Sequence, residues 1–254
     1  MLRYARWSMK TISDALAHTN ERIARACQAC GRSPSEVQLL AVSKTQPWQV
    51  VAQAAAAGQR SFGENYVQEA VDKIVRLREH LGHSAQPANP ASGRWCEPLE
   101  WHLIGPLQSN KTREVAEHFD WVHSIDRLKI AQRLSDQRPA TLPPLRVCLQ
   151  VNISGEASKS GVARAQVLPL AQAVNALPRL QLCGLMSIPE PAVDDAHRRE
   201  PHRALRALRD ELQRADPALR LPVLSMGMSD DLEAAIAEGA TLVRIGTAIF
   251  GRRT

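Results

Sequence analysis

The chain has little aromatic surface and no long apolar run. Phe, Trp and Tyr make up 4% of its 254 residues. That is too few for a base-stacking nucleic-acid platform or an aromatic-rich β-sandwich. No apolar stretch approaches about 18 residues, so nothing reads as a membrane span. The opening residues 1–8 lack the apolar core of a secretion signal. The expectation is a soluble, cytoplasmic protein with no membrane partner.

Metal-binding patterns are missing as well. Eight histidines are scattered without an H-E-x-x-H pair. Cys27 and Cys30 have C-x-x-C spacing, but they close a helical segment and no second pair completes a zinc site. They read as reduced thiols, while Cys148 and Cys183, inside apolar runs, read as small buried hydrophobes. No metal is expected. The formal charge of +6 is not gathered into a basic block. Arg198, Arg199, Arg203, Arg206 and Arg209 alternate with acids and apolar residues, as on solvated helix faces, and no nucleic-acid partner is expected.

What is present is rhythm. With 44% hydrophobic and 23% charged residues the chain can build a large core. Apolar positions at helical spacing over about 11–30 stop at Gly31 and Pro34. Eight short buried-strand runs follow at 37–43, 61–64, 101–104, 121–124, 146–153, 180–187, 223–225 and 242–245. Between them lie helical segments at 47–58, 67–81 (ended by Gly82), 110–119, 127–137, 164–176, 194–215 and 230–238. Strands alternating with helices demand right-handed crossovers and a parallel sheet. Eight such units predict an α/β fold, a single (β/α)8 TIM-type barrel over about 35–251. Too few residues follow Phe250 for an ordinary eighth helix, and the N-terminal helix is expected to take that place. A polar insertion at about 82–98 decorates the outside, and residues 1–254 read as one domain.

Reactive residues of such a barrel sit at the C-terminal ends of its strands. Lys44 ends the first strand. Alone it fits two readings: a lysine snorkelling into water, or a desolvated amine able to form an imine with an aldehyde. The loops after strands seven and eight carry Met228, Ser229, Asp230 and Asp231, and then Arg244, Gly246 and Thr247. These loops are the usual phosphate site of the fold. Asp230 and Glu233 have capping-box spacing, with Asp230 as the N-cap. Lys44, Ser229 and Gly246-Thr247 on one rim favour a phosphorylated carbonyl ligand.

Six blocks then occur in order: Ala41–Thr45, Phe62–Asn65, Trp101–Lys111, Gly184–Pro189, Ser225–Asp231 and Val243–Gly251. On these the chain resembles the pyridoxal phosphate homeostasis proteins, single-domain relatives of the alanine racemase barrel. The resemblance implies that Lys44 carries pyridoxal 5'-phosphate as an imine, with Ser229, Gly246 and Thr247 on the phosphate and Arg244 facing the pyridine nitrogen. Asn65 and Met228 complete the cofactor-binding set. Asn152, His102, Asn110 and Lys111 are weaker rim candidates, and Asn152 also reads as a plain turn residue.

An arginine opposite the pyridine nitrogen disfavours ring protonation and weakens the electron sink that carbanion chemistry needs. The racemase relatives add a second domain with a tyrosine base. Here the tyrosines are Tyr4 and Tyr66, and Tyr66 fits either the rim or a helix start. The expectation is a cofactor-holding protein in vitamin B6 and amino-acid balance, without robust turnover. Its expected partners are the cofactor, free amino acids and cofactor-dependent apoenzymes, and a monomer is expected. The alternatives are an amino-acid racemase and, less well matched by the motifs, a Schiff-base aldolase.

Overall fold

The computed structural model describes residues 11–84, 98–155, 160–190 and 194–251. Tyr4, Cys96 and most of the polar insertion lie outside them. The chain opens with helix α1 (Ile12–Ala29), where Thr11 and Asp14 form a reciprocal capping box. It closes in a Schellman turn, with Arg32 N–H on the Cys27 carbonyl and Gly31 N–H on the Gln28 carbonyl.

Strand and helix then alternate: β1 (Gln38–Val42), α2 (Trp48–Ala56), β2 (Ser61–Glu64), α3 (Val67–Ser84), β3 (Glu100–Leu103) and α4 (Thr112–His118). Next come β4 (Trp121–Ile125), α5 (Leu128–Gln137), β5 (Leu145–Asn152), β6 (Val162–Ala163), α6 (Arg164–Asn175) and β7 (Leu180–Met186). The chain continues with α7 (Asp195–Ala215), β8 (Val223–Ser225), α8 (Leu232–Ala237), β9 (Leu242–Ile245) and α9 (Thr247–Phe250).

All strand pairings are parallel. The β4–β5 pairing closes the ring β1-β2-β3-β4-β5-β7-β8-β9 on itself, giving a closed eight-stranded barrel. Strand periodicity divides the core. Leu39, Ala41, Val243 and Ile245 face outward into the layer shared with the helices. Their neighbours Leu40, Val42 and Leu242 pack in a separate small cluster inside the barrel. Helix α1 packs against α2, α8 and α9 and so fills the outer-ring place that the four-residue α9 is too short to hold.

Several sequence-based expectations need correction. The described residues form a ninth strand beside the eight expected in the ring, because Val162 and Ala163 pair with Val151 and Asn152 outside it. Helix α3 runs through Gly82 to Ser84. A mid-helix glycine costs only about 1 kcal/mol, so it does not stop a helix this long. Asp231, not Asp230, is the N-cap of α8, and it makes no side-chain capping bond. Glu233 instead receives two hydrogen bonds from Arg22. The α7 arginines are not simply solvated. Arg199, Arg203 and Arg206 converge on the Glu238 carboxylate at 2.9, 3.1 and 3.1 Å, binding α7 to the end of α8.

Candidate functional site

A cavity of about 590 Å³ opens at the C-terminal ends of the barrel strands. Its walls include Lys44 after β1, Asn65 after β2 and Arg244 from β9. The loop after β8 contributes Met228, Ser229 and Asp230, and the turn after β9 contributes Gly246, Thr247 and Ala248. All seven cofactor-site residues expected from the sequence share this one space. A smaller recess, lined by Gly105, Pro106, Gln150 and Ser160, adjoins it through Asn65, Ile104 and Ile188.

The turn that carries Lys44 is held from below. Thr45 has φ of 65°, a left-handed conformation that disfavours β-branched side chains and persists only when its surroundings enforce it. Glu69 Oε1 accepts the Thr45 N–H at 2.6 Å. Beneath it, Lys73 Nζ donates to the Ser43 carbonyl at 2.9 Å and to Glu64 Oε1 at 2.6 Å, while Ser43 Oγ donates to the same oxygen at 2.6 Å. Glu64 and Lys73 are buried. Burial pushes the Glu64 carboxyl up against the opposing pull of Lys73 and Ser43.

Two close backbone approaches fix the walls. A Cβ on Gly105 would lie 2.3 Å from the Asn65 carbonyl oxygen, so only glycine lets the loop after β3 press against Asn65. A Cβ on Gly246 would meet the Val42 carbonyl at 3.2 Å, which draws the last turn against the end of β1.

Arg244 is buried in the barrel. It donates through Nη1 to the Ser225 carbonyl at 2.5 Å and Oγ at 2.9 Å, and through Nη2 to the Ser187 carbonyl at 2.8 Å. Burial lowers its pKa to about 10, which still leaves a cation at neutral pH. Behind it a polar chain continues along the interior. His123 Nδ1 lies 2.8 Å from Ser225 Oγ, and His123 Nε2 lies 3.0 Å from His102 Nδ1. His102 Nε2 stands 3.8 Å from Glu100 Oε2, and Glu100 Oε1 accepts from Arg146 at 2.6 Å. Burial lowers the pKa of both histidines, and His102 and Arg244 push His123 down further. The His102 ring and Arg146 hold the Glu100 carboxyl down at about 2.

The weaker candidates stand apart from the cavity. His102 is fully buried inside the barrel rather than on its rim. Lys111 ties the loop after β3 to Gln68 and Glu114, and Asn110 is exposed beside it. Asn152 Oδ1 accepts the Gly155 N–H at 3.0 Å, a local turn bond. Tyr66 is 57% exposed at the start of α3 and does not line the cavity. Sequence reasoning missed Lys73, His123 and Arg22. For His123 the signal was its place among inward-facing positions of β4. Lys73 and Arg22 looked like ordinary polar residues on helix faces.

Comparisons with known proteins identify the family and the fold. The family model described as alanine racemase, N-terminal domain, matches residues 13–254. The pyridoxal phosphate homeostasis protein of Pseudomonas aeruginosa is 58% identical over 96% of this chain and 97% of its own. That of Escherichia coli K12 is 54% identical over 96% and 98%. Among solved structures, PipY of Synechococcus elongatus with pyridoxal phosphate bound superposes with a TM-score of 0.78, at 36% identity, over 95% of this chain and 100% of that one. Alanine racemase of Corynebacterium glutamicum, at 20% identity and a TM-score of 0.63, covers 94% of this chain and 61% of its own, and shares the fold. With its match to the racemase barrel nearly end to end, and these relatives at more than half identity, the chain belongs to the pyridoxal phosphate homeostasis protein family within the alanine racemase N-terminal domain fold.

Proposed function

We propose that this chain binds pyridoxal 5'-phosphate in the barrel-mouth cavity and serves to hold and hand on the cofactor. One observation carries the reading: Lys44, Arg244 and the loops at Ser229 and Gly246-Thr247 line a single cavity. The residues fit the group. A strand-end amine suits an aldehyde, a buried guanidinium suits a ring nitrogen left unprotonated, and loop backbone N–H groups suit a phosphate. When bound, the cofactor supplies an electrophilic aldehyde on an aromatic ring. Lys44 joins it covalently, Asn65 and Met228 wall it in, and Ser229, Gly246 and Thr247 orient its anionic end.

Holding the cofactor fits this site better than racemisation. Moving a proton between the two faces of a bound amino acid takes two bases. Tyr66 is exposed and does not line the cavity, and the charge of Arg244 opposes ring protonation. The adjoining recess leaves room for an incoming amine, so free amino acids and the lysine of a recipient apoenzyme are the expected partners. The free Cys27, Cys30, Cys148 and Cys183 suit a reducing cytoplasm. No described helix is long and apolar enough to cross a membrane. We further propose that the protein acts as a monomer, with one barrel domain carrying the whole site.

The test is borohydride fixation followed by peptide mapping. The cofactor is expected on Lys44, and Lys44→Ala should lose both the adduct and the visible absorbance. An adduct on another lysine overturns the assignment. Incubation with L-amino acids in heavy water should give little α-hydrogen exchange, whereas rapid exchange with racemisation replaces the carrier with an enzyme.

A further inference from the structure

We propose that Arg22 is a ligand-binding residue of this cavity, a guanidinium held in reserve by Glu233 that turns to a phosphate dianion seated beside Ser229 and Thr247. The inference rests on the functional reading above and extends it to a helix outside the (β/α) repeat.

Helix α1 fills the vacant place in the outer ring, and that position brings Arg22 to the cavity wall with Ser229, Asp230, Thr247 and Ala248. Electrostatics makes its presence consequential. A dianion at this end faces Asp230, with Asp231 and Glu233 close behind in the sequence. Asp231 is already engaged by His202 and the Met228 N–H. The lining residues include three cations, Arg22, Lys44 and Arg244. Lys44 is committed to the aldehyde, and Arg244 to its carbonyl partners within the barrel. Arg22 is the cation left for the phosphate. Helices α8 and α9, of six and four residues, are too short to supply that charge through aligned peptide dipoles.

The present partner of Arg22 is replaceable. Its Nε and Nη2 donate to Glu233 at 2.5 and 2.6 Å, but the Glu233 side chain is 55% exposed and that of Arg22 29%. Pairs this open to water contribute little, so exchanging the carboxylate for a phosphate sacrifices little. Nη1 has no hydrogen-bond partner among the described residues and is available to form a second contact. Arginine suits the task because its planar fork binds phosphate in a bidentate manner.

If Arg22–Glu233 were only a strut between α1 and α8, losing either partner would weaken the site alike. Acting on the ligand, the two substitutions have opposite signs. Arg22→Gln is expected to weaken pyridoxal phosphate binding by about tenfold or more while leaving pyridoxal, which lacks the phosphate, within about twofold. Glu233→Gln frees the guanidinium and removes a negative charge, so it should tighten pyridoxal phosphate binding. Calorimetry with inorganic phosphate on the ligand-free protein should show the same order. Equal losses in the two variants, or equal losses for the two aldehydes in Arg22→Gln, overturn the proposal. Phosphate binding that depends on Arg22, in a protein that forms no covalent adduct with either aldehyde, upholds it while sinking the functional reading. An adduct on Lys44 with phosphate binding indifferent to Arg22 does the reverse.

Discussion

His123 Nδ1 lies 2.8 Å from Ser225 Oγ, the same oxygen that accepts Arg244 Nη1 at 2.9 Å. The guanidinium can only donate. If His123 Nδ1 also carried its proton toward Ser225, its Nε2 would need a proton from His102 Nδ1, and a bare His102 Nε2 would then face the Glu100 carboxylate. The opposite order avoids that repulsion. Ser225 donates to His123, His123 Nε2–H donates to His102, and His102 Nε2–H faces Glu100 across 3.8 Å. Every hydrogen bond then points from cation to anion, an arrangement in which each bond polarises the next. Nitrogen-15 spectra of the ligand-free protein should show both rings as Nε2–H tautomers. A Nδ1–H tautomer at either histidine would break the chain. Ser225→Ala removes the donor to His123 and should cost about 1–3 kcal/mol.

The same two rings set an acid limit. Their folded pKa values lie below that of an unfolded histidine, about 6.5. As pH falls through that value the unfolded chain takes up protons that the folded chain refuses, so stability falls. His197 works the other way, because Asp194 raises its pKa, but it contributes equally to the protein and its variants. His123→Gln cannot titrate. Between pH 6.5 and 5 its stability should fall less steeply than the parent's, by a difference that grows toward about 1.4 kcal/mol per pH unit at the acid end, as read from urea midpoints. Parallel curves would mean that His123 is charged within the fold.

The period of the apolar residues made the barrel legible, because each buried strand and each amphipathic helix repeats the same pattern. Lys44, Ser229 and Gly246 were legible because their chemistry falls at strand ends, where the fold rule looks for it. What stayed hidden depends on contacts distant in sequence. Lys73 is one more polar residue of an amphipathic helix until β1 and β2 place Ser43 and Glu64 against it. Arg22 becomes a site residue only because α1 substitutes for an outer helix. The two-residue β6 is too short to show a period, and Asp230 lost its capping role because the chain turns into α8 one residue later.

Gly105 offers a steric test of the cavity wall. A methyl group there would sit 2.3 Å from the Asn65 carbonyl oxygen and 2.7 Å from its Cα, and backbone on both sides leaves no flexible end to give way. Gly105→Ala should cost about 1–3 kcal/mol, as overpacking does, and displace Asn65 from the cavity. Thermal unfolding measures the first effect, and the affinity for pyridoxal phosphate the second. A variant with unchanged stability and affinity would show that the two loops can part without consequence.

The buried pair beneath Lys44 makes the strongest stability prediction. Lys73→Met leaves the Glu64 carboxylate fully buried beside one remaining donor, Ser43 Oγ. Stranding one partner of a buried ion pair costs about 3–5 kcal/mol. The sign of its pH dependence follows from Glu64. With Lys73 gone its folded pKa rises further, so the carboxyl is tolerated while protonated, and the penalty grows as pH rises through that pKa. The loss should therefore be smaller at pH 5 than at pH 8. Adding Glu64→Gln to Lys73→Met removes the stranded charge and should recover most of the loss, the non-additivity expected of groups in one ion-pair network. Because Lys73 also grips the Ser43 carbonyl one residue before Lys44, the single variant should bind pyridoxal phosphate more weakly even where it remains folded. Additive effects of the two substitutions would mean that the pair neither holds the turn nor balances a buried charge.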